Sequence, residues 1–322
     1  MSLLPKVLVI AHSDVGGSLC YLAQEMRRRE KADVRVLTLN QDSFAHDSHD
    51  LNELYDGGQE IESLVDACDV LHFVDLPPLE VEISKRPLVE KKNCKFVVQI
   101  DGRNLEHDVL ATAKLAQERG WELLSTKPGF SLKTGAHFLP PFIPWWRGPW
   151  RPLLPGTRSL ESIRRPGVVF TSSRVAIDRR PELEALLDRA EDFAAIRNHK
   201  LGRDAPAIYM ESVVRKAHRQ VLQRRRFAHL SLAVAHDGLA LSALESLAQG
   251  VRVITDLNQE EAQLYREHAQ GENVPVIACG ALEQTIEHLS PREDGDPRLS
   301  DWARRCLDPT RWFEHCERLW SC

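Results

Sequence analysis

Apolar positions along this chain fall into short runs that alternate with helical stripes. Lys6–Ala11, Asp33–Leu39, Val70–Val74 and Lys95–Ile100 are brief runs rich in Val, Leu and Ile, which predicts buried strands. Between them, Leu19–Arg29, Glu60–Ala67 and Asp108–Arg119 repeat apolar residues at helical spacing. Glu122–Ser125 and Ala136–Leu139 predict two further short strands. The second half resumes the scheme at Gly167–Thr171, a strand, and Pro181–Ala190, a helix with proline in its first turn. Ala194–Lys200 reads as a strand with a polar end, and Ser212–Arg226 as a basic helix with Arg224, Arg225 and Arg226 on a solvated face. Ser231–Asp256 reads strand, tight turn, helix, glycine stop, strand. Glu260–Ala269, Ala281–Leu289, Leu299–Arg305 and Thr310–Trp320 are further helices, with a strand at Val274–Ala278. Strands alternating with helices predict an α/β protein with parallel sheets.

Proline density across residues 140–156 excludes regular structure there and marks a boundary. The chain of 322 residues is then expected to form two domains, 1–145 and 166–307, joined by a linker at 146–165. A hydrophobic content of 43% supports a sizeable core and argues against global disorder. The net charge of -5 weighs against a polyanion as the main partner without excluding a local basic patch. The longest apolar runs fall short of the ~18 residues a membrane span needs. The first residues, MSLLPKVLVIAHSD, carry no basic segment before the apolar run and read as a first strand. Seven cysteines without a Cys-x-x-Cys pair fit free thiols in a reducing cytosol, so a cytoplasmic protein is expected.

The candidate chemistry lies at strand ends. Asp237-Gly238 breaks the strand from Ser231 and opens a helix whose start offers free N–H groups and a positive dipole end, a place for phosphate. Glu245, inside that helix, is able to accept hydrogen bonds from ribose hydroxyls beside such a phosphate. An amphipathic helix with two solvated carboxylates explains the same residues, and this stretch alone leaves both readings open. The turn HSDVGGS, with His12, Gly16 and Gly17, follows the first strand, as does a phosphate-facing turn in doubly wound domains or an ordinary tight turn. Asp101-Gly102 ends the strand at Ile100, and Ser173, Arg174 and Arg179 follow the strand at Gly167. Trp145, Trp146 and Trp150 with Arg147 and Arg151 suit stacking on bases or sugars, a membrane surface, or packing between domains. The His46–Asp50 cluster and Asp294-Gly295-Asp296 are read as loops, not metal sites.

Two stretches carry a family resemblance. Asp237-Gly238-Leu239-Ala240-Leu241, three residues, Glu245-Ser246-Leu247-Ala248 and Gly250-Val251-Arg252-Val253-Ile254 resemble the Glu-x7-Glu motif of retaining glycosyltransferases with the GT-B fold. Arg174, with Arg179 five positions on, resembles that family's Arg-x4-Lys pair. Asp237 and Ala240 replace its first glutamate and a glycine, and Asp101 stands where it commonly has histidine. The strand histidine His72 and the pair Gly16-Gly17 also match.

The resemblance implies two Rossmann-like domains facing across a cleft, with residues 308–322 crossing back onto the first. It implies transfer of a sugar from a nucleotide-diphosphate sugar, a UDP-sugar first among the expectations, with retention. No metal is required on this view, since Arg174, Arg179 and the helix start supply the positive charge. Asp237 would orient the sugar, with Asp101 beside it. Glu245, Gly238, Leu239, Ala240, Leu241, Ser173, Gly16 and Gly17 would bind the donor. His12, Trp145, Trp146 and Arg147 are assigned to the acceptor, which is a saccharide, a lipid-linked glycan or a modified nucleic-acid base. Monomer and dimer both remain open. A non-catalytic nucleotide- or sugar-binding protein, or a nucleotide-sugar epimerase, on the same fold is the alternative.

Overall fold

A computed structural model of the chain describes residues 4–12, 14, 17–39, 51–52, 58–83, 85–101, 109–152, 167–170, 181–201, 208–212, 218–233, 237–289 and 295–321. It divides into two units, Met1–Phe142 with Asp308–Cys322, and Ile143–Leu307. Residues 143–152, expected at a boundary and linker, thus pack within the second unit.

In the first unit, strands β1 (Lys6–Ala11), β2 (Asp33–Thr38), β3 (Leu51–Asn52), β4 (Val70–Val74), β7 (Lys95–Ile100), β8 (Glu122–Ser125) and β9 (His137–Phe138) form one sheet. The order is β3-β2-β1-β4-β7-β8-β9 and every pairing is parallel. This is the Rossmann strand order, which reverses direction between β1 and β4. Helices α1 (Ser18–Arg28), α2 (Gly58–Ala67) and α3 (Val109–Glu118) make the crossovers, as their apolar stripes predict. Leu8, Ile10, Leu37, Leu71 and Phe73 are nearly or fully buried in the core. Each contributes about 1.5–3 kcal/mol by leaving water. A hairpin of β5 (Glu82–Ile83) and β6 (Arg86–Pro87), and a helix α4 (Pro128–Thr134), were not legible from apolar periodicity because each is so short. The C-terminal helix α11 (Pro309–Trp320) belongs to this unit. Its Trp312 indole donates to the Pro140 carbonyl at 2.6 Å, and Phe313 packs 5.9 Å from Phe142.

The second unit holds a parallel sheet of β10 (Gly167–Phe170), β11 (Tyr209–Ser212), β12 (Leu230–Leu232) and β13 (Arg252–Ile254) in the order β11-β10-β12-β13. Its helices are α5 (Pro181–Leu201), α6 (His218–Arg226), α7 (Leu241–Ala248), α8 (Gln259–His268), α9 (Leu282–Glu287) and α10 (Pro297–Cys306). Three expectations are corrected here. Ala194–Lys200 is helical, the continuation of α5. No glycine or proline stops that helix, and Leu186, Ala190 and Ala194 keep one buried stripe. Ser212, expected at a helix start, ends strand β11. Val274–Ala278 makes only a single bridge, Ile277 to Ile254.

Gly250 shows why the stop after α7 is a glycine. Its φ is +74°, and an added Cβ would lie 2.9 Å from the Asp296 nitrogen. Gly250→Ala therefore meets both left-handed strain and backbone overlap. We expect it to lower stability by about 1–3 kcal/mol in urea unfolding. A loss no larger than for an exposed helix Ala would refute the close-approach argument.

Candidate functional site

Ligands in open parallel sheets sit outside the C-terminal strand ends where the order reverses. In the second unit that point lies between β10 and β12, which end side by side with Phe170 opposite Leu232. After β12 the chain turns through Asp237 at φ +53° and Gly238 at φ +120°. Aspartate tolerates the left-handed region better than most residues, which suits it to this turn. The Leu239 N–H donates to the Tyr265 hydroxyl at 3.1 Å, and Tyr265 is fully buried on α8. Burial pushes the Tyr265 hydroxyl well above its ordinary pKa, so it stays a neutral acceptor. Helix α7 then begins at Leu241. Its N-cap, Ala240, makes no side-chain capping bond, and the first turn carries no acid. The positive end of α7 is therefore not neutralised by its own side chains.

Glu245 lies one turn along α7 and is only 3% exposed. Oε1 accepts from the Trp150 indole nitrogen at 3.2 Å and pairs with His218 Nε2 at 2.8 Å. Oε2 accepts from Arg225 Nη1 at 2.6 Å. Burial alone would raise the carboxyl's pKa. Attraction from His218 and Arg225, with the hydrogen bonds from both, outweighs it and holds Glu245 near 2. Glu245 is therefore an anion at neutral pH. Arg225 is 1% exposed, which corrects its expected place on a solvated face. Gln249, one turn further, donates to the carbonyls of Pro149 and Leu222 and ties the same three segments together.

His218, Arg225 and Tyr265 were missed in the sequence. A signal for two of them was present: Glu245 stands four residues after Leu241, near the apolar stripe of α7, and a buried acid requires a donor or cation. What could not be read was that α6 supplies it.

The first unit presents a different helix start. The Asp14 carboxylate accepts from the Leu19 N–H at 3.0 Å and the Cys20 N–H at 2.9 Å. The start of α1, preceded by Gly17 at φ +67°, is thus capped by an anion. A phosphate there would face that charge, so α1 and α7 are unequal as phosphate sites. His12 follows the C-terminal end of β1. Asp101 follows β7, the strand beside β4. Gln99 donates to its two oxygens at 3.1 and 3.0 Å, Thr126 donates its hydroxyl, and the Asp101 N–H donates to Asp75 at 2.6 Å. His72 is 1% exposed on β4, edge-on to Trp320 of α11 at 6.1 Å, and is a packed core residue.

Trp145 lies edge-to-face with Trp146 at 5.8 Å, and the Arg304 guanidinium sits 5.4 Å from the Trp145 ring. Both indoles and Arg147 are partly buried in the second unit. Trp150, by contrast, is fully enclosed and committed to Glu245. Ser173, Arg174, Arg179, Gly16 and the His46–Asp50 cluster lie outside the described residues, as does Asp294. Asp296 caps α10 by accepting from the Arg298 N–H. Among the described residues no helix is long and apolar enough to cross a membrane.

Comparison with solved structures gives matches over nearly the whole chain. An α-glucosyltransferase in complex with UDP and a 13-mer DNA containing an HMU base has a TM-score of 0.61 at 12% identity, covering 98% of this chain and 99% of that one. The fold is that of glycosyltransferases. AviGT4, a glycosyltransferase of avilamycin A biosynthesis, matches with a TM-score of 0.54 at 13% identity, over 98% of this chain and 97% of its own. HepE from Anabaena, in complex with UDP, matches with a TM-score of 0.53 at 11% identity, over 97% of each chain. No protein-family model matches the chain, and no curated protein matches it in sequence.

Proposed function

We propose that this chain is a glycosyltransferase whose second unit binds a nucleotide-diphosphate sugar, with UDP as its nucleotide. The observation that carries the reading is the uncapped start of α7, one turn before an ionised Glu245, at the strand-order reversal of the sheet. The diphosphate takes the helix start, Glu245 takes the pentose, and Asp237 orients the sugar. Arg174 and Arg179 follow β10, the strand beside β12, and are assigned to the departing diphosphate. Charge stabilisation of this kind is worth about 3 kcal/mol per well-placed donor. Two guanidiniums and a helix start supply it without a metal ion. Retention of configuration is part of the proposal on the strength of the motif.

On the first unit, Asp101 is assigned to sugar hydroxyls, because its carboxylate is held in place at a strand end. His12 is assigned to the acceptor, and the turn at Gly16-Gly17, expected at the donor, is reassigned to the acceptor with it, since Asp14 disfavours phosphate at α1. Trp145, Trp146 and Arg147 keep a saccharide, a lipid-linked glycan and a nucleic-acid base open as acceptors. The solved α-glucosyltransferase with modified DNA supports testing the last of these first.

Calorimetric titration with UDP and GDP checks the donor site. Glu245→Gln is expected to weaken UDP binding at least about ten-fold, the loss of a charge-assisted hydrogen bond. Equal binding by both proteins would remove Glu245 from the site. A non-catalytic binding protein is the second reading, favoured by the protein partners that already fill three acceptor positions each on Asp101 and Glu245. Detectable transfer or hydrolysis of a UDP-sugar would exclude it.

A further inference from the structure

We propose that Glu245 reads one pentose hydroxyl of the donor, not two, because His218 occupies the acceptor position a second hydroxyl would need. This deepens the donor-site reading above and rests on it. A carboxylate offers about four lone-pair positions, two on each oxygen. Around Glu245 the Trp150 and His218 bonds fill both positions of Oε1, and the Arg225 bond fills one of Oε2. One position on Oε2 is left. The ionised carboxylate only accepts, so His218 Nε2 carries the hydrogen in this pair.

The three donors are not equally replaceable. Trp150 and Arg225 are 3% and 1% exposed, and displacing either strands a buried donor. His218 is 15% exposed at the first turn of α6, the most solvent-exposed of the three donors. The second hydroxyl of a ribose therefore competes with His218 alone. In the protein as it stands, that competition sets how the two vicinal hydroxyls are read: one by Glu245, the other by something else or by nothing. His218 is a specificity-determining residue on this view, acting through Glu245.

Titration of UDP, 2′-deoxy-UDP and 3′-deoxy-UDP into the full chain tests this directly. One deoxy analogue is expected to bind within about two-fold of UDP, and the other about ten- to hundred-fold more weakly. In His218→Ala the vacated position on Oε1 accepts the second hydroxyl, so both analogues fall below UDP. His218→Gln restores a donor to Oε1 and is expected to return the one-sided pattern, a rescue that a purely structural histidine would not produce. Comparable losses for both analogues in the unsubstituted protein would overturn the proposal, as would an unchanged one-sided pattern in a folded His218→Ala. Failure of UDP itself to bind is a separate outcome: it overturns the donor-site reading and the proposal with it.

Discussion

Replacing Arg225 by methionine is expected to destabilise the second unit by about 3–5 kcal/mol, the usual cost of stranding one member of a buried ion pair. Arg225 and Glu245 are both almost fully enclosed, and the 2.6 Å bond between them is the shortest that Glu245 makes. Methionine keeps much of the packing volume, so the loss reports charge and hydrogen bonding. Without the guanidinium, burial raises the Glu245 carboxyl, and the group tends to take up a proton. The variant's deficit should therefore shrink as the pH is lowered toward 5, where protonation relieves the stranded charge. Urea unfolding at pH 7.5 and pH 5 measures both effects. Arg225→Met with Glu245→Leu should recover most of the loss, since an apolar pair replaces an ion pair at little cost. A single-variant loss below about 1 kcal/mol would mean that the pair is solvated.

Acid is expected to act on the first unit ahead of the second. His72 is completely buried, and desolvation brings its pKa from the ordinary 6.5 to about 3, against a raising contribution from Gln99. His315 on α11 is brought to about 4 by burial, with the neighbouring His137 and Arg318 opposing its charge. Both rings are neutral in the folded chain at neutral pH. As the pH falls below 6.5, the unfolded chain binds protons that these folded-state histidines do not, so stability drops. For His72 the loss begins near pH 6.5 and is complete near pH 3, amounting to about 5 kcal/mol. Glu245 has the opposite history. Its pKa is lowered from 4.5 to about 2, so its stabilising contribution is intact above 4.5 and is lost only between those values. Hydrogen exchange between pH 7 and 4 should show β4 and α11 opening well before α7. Substituting His72 by phenylalanine should flatten the pH dependence across 6.5 to 3. If α7 opened first, or the phenylalanine variant kept the full slope, His72 would not be the acid-sensitive group.

These two sites show unequal legibility. The α/β class, the order of most elements and the α7 turn were legible because they depend on local patterns: apolar runs of strand length, stripes at helical period, and Asp-Gly and glycine punctuation. The strand misread at Ala194–Lys200 fails for a local reason as well. A short apolar run has no period of its own, and only its continuity with Leu186 and Ala190 on one buried face makes it helix.

Local pattern alone places Glu245 in the helix after Asp237-Gly238, near an apolar stripe, and Gly250 at the end of that helix. It equally places a glycine pair after the first strand. Long-range packing brings Arg225, His218 and Trp150 onto Glu245, since their separations in the chain carry no periodic signal. Folding also closes the start of α1 with Asp14 while α7 keeps an uncapped one. The reason is physical. Secondary structure follows from neighbours a few residues apart, whereas the charge state and the remaining hydrogen-bonding capacity of a buried acid depend on groups that folding alone brings within 3 Å.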